Sequence, residues 1–201
     1  MDGNFSVDGL YDEGLIDIKY KDQFSKKELS SDVKSAYNRL SKYFEEKIDL
    51  PPYLGDVSVE VAPLDTYLLI DQDEDVISVS KVFGSLDPRT GKLKIDPVVL
   101  DKASPQKKFL EQYGIKIPTK EEIIMHELVH GVQRSLGIID RAYSKLGERQ
   151  GRIFLEGAAQ YITNQILGKE SKESDIYRDG VRHYRQNVKS KDSEREAFLS
   201  P

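Results

Sequence analysis

The chain has no cysteine among its 201 residues, only three histidines, and nowhere a run of about 20 apolar residues. The absence of cysteine excludes disulfide frameworks, cysteine-based zinc fingers, iron–sulfur clusters and cysteine nucleophiles. Any metal must then be held by histidine and carboxylates. Without a long apolar run no helix can span a bilayer, and the start, MDGNFSVDGLYDEG, is acidic rather than a basic segment leading into an apolar one. A cytoplasmic, non-membrane protein is the expectation, with export after loss of a leader as the alternative.

Strong charge of one sign is missing too. The net charge of −5 hides an asymmetry: residues 1–75 carry 8 basic and 18 acidic side chains, residues 76–201 carry 22 and 17. That second-half excess is too small to argue for nucleic-acid binding. Hydrophobic residues at 38% beside charged ones at 32% describe a highly charged but foldable chain rather than a disordered one. The length suits one domain with a sizeable core.

No internal repeat or low-complexity segment is present. Residues 1–24 have no clear period and form an N-terminal extension. From Ser25 to Ile48, apolar residues at Leu29, Val33, Ala36, Leu40, Phe44 and Ile48 follow the 3–4 spacing of an amphipathic helix, which Pro51 and Pro52 stop. Short β-rich runs follow at 57–61 (VSVEV), 67–70 (YLLI), 76–83 (VISVSKVF) and 92–95 (KLKI), with turns such as DPRTG at 87–91 between them. They predict a small, largely antiparallel sheet. From Pro97 onward the pattern is helical, with a break from Gly114 to Pro118. Helix, sheet, helices is an α+β order. We expect the core over 26–168 and a helical tail over 169–201.

Thr119-Lys-Glu-Glu122 is a capping box that signposts a helix start, and Gly137 is placed to end that helix. Within it lies His126-Glu127-Leu128-Val129-His130, an HExxH motif. One turn separates the histidines, so both imidazoles project from one face and can bind one zinc ion, while Glu127 lies where a carboxylate can take a proton from a metal-bound water. Met125, Leu128, Val129, Val132 and Leu136 make the opposite face apolar. An incidental i,i+4 histidine pair is the competing explanation. It is disfavoured because the motif uses two of the three histidines and a third ligand follows.

That ligand is sought at Glu156, in RIFLEGAAQYIT at 152–163, where Gly157, Ala158 and Ala159 would let its helix approach another closely. The competing reading is a surface helical glutamate. Asp140 and Glu148, in what reads as a connecting loop, are rival ligands. With no cysteine, three protein ligands and an open position suit a catalytic rather than a closed structural site.

The pairing of His126-Glu127-Leu128-Val129-His130 with Phe154-Leu155-Glu156-Gly157-Ala158-Ala159 resembles the gluzincin clan of zinc metallopeptidases, and the size resembles its minimal members, the minigluzincins. The resemblance covers residues 26–168. It implies a zincin-like α+β fold with an active-site helix and a following glutamate helix, Zn²⁺ held by His126, His130 and Glu156, and Glu127 as general base in peptide-bond hydrolysis. The 25 residues between His130 and Glu156 make a longer connection than the clan's compact examples.

A peptide or protein substrate is expected to add as a β-strand to a sheet edge, with 76–83 as candidate edge and an ordinary internal strand as its competing reading. The clan commonly adds a His or Tyr to stabilise the oxyanion. Candidates are Tyr143, Tyr177, His183 and Tyr184, although His183 reads equally as a solvated residue of an amphipathic helix. The tail or the acidic loop at 71–75 could cover the cleft. Two alternatives stand beside a general peptidase: an HExxH protease that cleaves a specific regulator protein, and a metal-binding interaction module that lost turnover.

Overall fold

The 3–4 spacing of the first apolar stripe produces helix α1 (Lys26–Tyr43), whose Leu29, Val33, Ala36 and Leu40 are buried. A π-helical turn (Phe44–Ile48) continues it, buries Phe44 and Ile48, and ends at Asp49 in a left-handed conformation, φ 53°. The computed structural model describes residues 5–6, 26–52, 54, 57–71, 76–87, 90–101, 104–169 and 178–201. The loop at 72–75 and Tyr177, both singled out by sequence, lie outside them.

Among the described residues, six strands form two three-stranded sheets rather than the one largely antiparallel sheet expected. Strands β1 (Phe5–Ser6), β3 (Thr66–Asp71) and β4 (Val76–Lys81) are antiparallel in the order β1-β3-β4, with Leu69 opposite Ser78. The second sheet, of β2 (Ser58–Val61), β5 (Gly84–Asp87) and β6 (Lys92–Ile95), is mixed in the order β2-β6-β5. A short turn makes β5 and β6 an antiparallel hairpin, whereas β2 lies parallel to β6 with Val59 opposite Leu93. Parallel pairing needs a long crossover, and residues 62–91, which contain β3 to β5, supply it.

Asp96 ties these strands together. Its Oδ1 accepts from the Val98 N–H at 2.9 Å and so caps α2 (Pro97–Leu100). Its Oδ2 accepts from the Leu64 N–H at 2.8 Å and pairs with Lys81 Nζ at 2.6 Å; Lys81 also donates to the Leu64 carbonyl. Both members of the pair are buried. After α3 (Pro105–Gln112), the capping box opens α4 (Lys120–Ser135) as expected: the Thr119 N–H donates to Glu122 Oε2 at 2.7 Å, and the Glu122 N–H to Thr119 Oγ1 at 3.3 Å. Gly137, φ 65°, ends the helix.

The expected connecting loop after Gly137 is helical instead. Helix α5 (Ile138–Leu167) is broken at Gly147, φ 75° and ψ 172°, and Ile138 and Ala142 anchor its first part in the core. The two parts fold against each other, so that a Cβ on Gly151 would stand 3.1 Å from the Ala142 carbonyl. The C-terminal segment is helical as expected, in α6 (Arg178–Ser190) and α7 (Glu194–Leu199), and its Val181, Tyr184, Ala197 and Phe198 enter the same core as α1, α4 and α5. Gly157 serves this contact rather than an approach to α4, because a Cβ there would lie 2.2 Å from the Gly180 carbonyl oxygen. Among the described residues no helix is long and apolar enough to cross a membrane. The architecture is α+β, mostly helical with small sheets.

Candidate metal centre

Helix α4 buries Met125, Leu128, Val129 and Val132 completely, which fixes its rotation and turns His126, Glu127 and His130 to the other side. They line a cleft of about 480 Å³ between α4, α5 and the segment from Lys81 to Leu86. Glu156 enters it from α5. His126 Nε2 lies 3.2 Å and His130 Nε2 3.3 Å from Glu156 Oε2, and the two imidazole nitrogens are 3.0 Å apart. A tetrahedral zinc with bonds of about 2.0–2.1 Å requires its ligand atoms roughly 3.3–3.4 Å from one another. Those three side chains therefore fit one small metal ion, and they form a group that could hold one.

His130 is oriented from behind. Its Nδ1 lies 2.7 Å from Gln133 Oε1, so Nδ1–H donates to the amide and Nε2 is left to ligate. Gln133 is wholly buried, and its Nε2 donates to the Leu155 carbonyl at 3.0 Å. One side chain thus holds a ligand of α4 and the backbone beside the ligand of α5. Burial opposes charge on His130, but the hydrogen bond and charge of Glu156, with Glu127 and Gln133, outweigh it and raise its pKa to about 9. Burial likewise opposes charge on Glu156, yet the hydrogen bonds from His126 and His130 hold its carboxyl well below the usual range. Metal binding would displace the proton that this pairing favours on His130.

Glu127 is held by β5. The Leu86 N–H turns away from β6 and donates to Glu127 Oε2 at 3.1 Å. Strand and helix meet this closely because Gly84 has no side chain: a Cβ would stand 2.3 Å from Ile123 Cγ2 and 3.1 Å from Glu127 Cγ.

The rival ligands Asp140 and Glu148 are exposed and outside the His126, His130, Glu156 group. Of the further candidates, His183 is exposed on α6, and Tyr184 is buried against Phe154 and Tyr161, held in the core by its aromatic faces. Tyr143 lines the cleft. Among the described residues β4 is an edge of its sheet, where the sequence had favoured an internal strand over an edge, but it ends at Lys81; the edge beside Glu127 is β5, which the sequence reading missed. Neither α6 nor α7 lines the cleft among the described residues. Gln133 and Arg152 were not singled out from sequence either, although Gln133 stands at i+3 from His130, a spacing that marks a shared helix face.

No known protein family, curated protein or solved structure matches the chain. Its function has to be argued from the site.

Proposed function

We propose that the protein is a zinc-dependent peptidase of zincin-like fold, resembling the minimal gluzincins. The observation that supports this best is the convergence of His126 Nε2, His130 Nε2 and Glu156 Oε2 within 4.8 Å of one another, with Glu127 on the same side of α4. Three ligands leave a fourth position open, as catalytic zinc sites do. His₂Glu coordination suits Zn²⁺ best among the common metals. Zinc bound there supplies Lewis acidity that activates water and polarises a carbonyl.

The chain's own residues do the rest. Glu127 takes the proton of the attacking water and passes it to the leaving amine. Its Oε2 stays held by the Leu86 N–H, which keeps the carboxylate facing the cleft. β5 is the edge strand of its sheet and borders the cleft, and beyond the Leu86 N–H taken by Glu127 an extended peptide can align along it. Tyr143 lines the same cleft and is the candidate donor to a developing oxyanion.

The test is metal analysis beside a peptide-library digest. We expect one zinc per chain in wild type and in Glu127→Ala, and cleavage that falls about 10²- to 10⁴-fold in the variant. Zinc without cleavage by the wild type would favour the interaction module. No zinc at all would remove the proposal.

A further inference from the structure

The charged side chains that line the cleft are nearly all committed. Lys81 is paired with Asp96, Glu122 with Lys169, Glu127 with the Leu86 N–H and Glu156 with the two histidines, and Lys116 has a partner of its own. Arg152 differs. It lines the cleft and is exposed, and among the described residues it makes no ion pair and no side-chain hydrogen bond. Both helical neighbours that would ordinarily neutralise it are acids, Glu148 four residues before and Glu156 four residues after, yet neither pairs with it. Glu156 is turned to the histidines instead. Tyr143 lines the same cleft, and its Cδ1 would lie 2.8 Å from a Cβ on Gly151, the residue directly before Arg152.

We propose that Arg152 is a specificity-determining residue that binds a carboxylate of the peptide substrate beside the metal centre; this rests on the peptidase reading. A guanidinium presents a planar fork of donors that matches a carboxylate bidentately, which a solvated lysine does not. Four residues of helix place Arg152 roughly 6 Å along the axis from Glu156. An extended peptide advances about 3.3–3.6 Å per residue, so the carboxylate belongs one or two residues from the scissile bond. It comes from an Asp or Glu side chain there or from a free C-terminus.

The experiment uses the zinc-loaded protein carrying Glu127→Gln, which keeps peptides intact, with and without Arg152→Gln. Fluorescence anisotropy reads the Kd of labelled peptides that differ only in Asp against Asn at each position, with the C-terminus free or amidated. We expect acid-bearing peptides to bind about ten- to a hundredfold more tightly, and Arg152→Gln to abolish that ratio. The Asp/Asn and acid/amide arms tell the two sources apart. Equal affinities throughout, a ratio that survives Arg152→Gln, or no binding of any peptide overturns the proposal. A ratio that Arg152→Gln abolishes supports it even if the protein with Glu127 intact cuts nothing, an outcome that removes the peptidase reading alone.

Discussion

Gln133 sits at the C-terminal end of α4 with an amide that could have been solvated, yet it is fully buried and bonded at both ends, to His130 Nδ1 and to the Leu155 carbonyl. A ligand histidine depends on what holds its other nitrogen. Gln133→Ala is therefore expected to weaken zinc binding about 10- to 100-fold, measured by competition with a chelator of known affinity. Loss of metal affinity below about twofold would show that packing alone orients His130. The Lys81–Asp96 pair belongs to the same scale. Lys81→Met leaves a buried carboxylate with only backbone donors, and removal of one member of such a pair costs about 3–5 kcal/mol, which urea denaturation will read as a lower midpoint at unchanged slope. Of these residues the sequence revealed only the ones that repeat at helical spacing. His126, Glu127 and His130 were legible because i, i+1 and i+4 are fixed by the helix itself. The bond from Gln133 to Leu155 and the Lys81–Asp96 pair join segments distant in sequence.

At the level of elements, α4 was the most legible because its start, apolar face and end each carry a local signal: the Thr119–Glu122 capping box, the stripe from Met125 to Val132, and Gly137. β5 was hidden because Gly-Ser-Leu-Asp lacks β-branched and aromatic residues; tertiary pairing with β6 makes it a strand. Residues 138–150 read as loop because Gly147 interrupts them, although Ile138, Ile139, Ala142 and Tyr143 keep the spacing of a helix face. The first turn of α4 also carries a pH dependence. Half-burial pushes Glu122 up, but the Lys169 ammonium at 2.8 Å and the Thr119 donors outweigh it and hold its carboxyl below the ordinary glutamate value of 4.5. The folded state thus binds its proton less readily than the unfolded chain. The resulting stability is fully present above about pH 4.5 and is lost as pH falls through the depressed folded value. Glu122→Gln is expected to lower the melting temperature at pH 7 and to flatten its fall on the acid side, in thermal scans from pH 7 to pH 3. A variant that melts in parallel with wild type across that range would show that the carboxyl is not coupled to folding.

For the whole molecule, the question is whether residues after Lys169 cover the site or complete the fold. The resemblance placed them outside the 26–168 core as a tail, while the apolar side of the helix, with Ile176, Val181, Tyr184 and Val188, read as packing on the domain. What they bury is visible only in three dimensions. Val181, Tyr184, Ala197 and Phe198 are all at most 3% exposed, Phe198 stands edge-on to Phe44 at 5.3 Å, and Tyr43 donates to Glu194 at 2.8 Å. Burial of a large apolar side chain contributes about 1.5–3 kcal/mol. Three such residues, with the exposed partners they would leave behind, account for roughly as much as the 5–15 kcal/mol by which an ordinary domain is stable. Truncation at Lys169 is thus expected to abolish cooperative unfolding by circular dichroism and to abolish zinc binding with it, because α5 loses the surface against which Gly157 packs. A cover that merely blocked the cleft would predict the opposite: a folded, zinc-loaded fragment that cuts peptides faster than the intact chain. Since α6 and α7 contribute nothing to the cleft among the described residues, the first outcome is the one the packing requires.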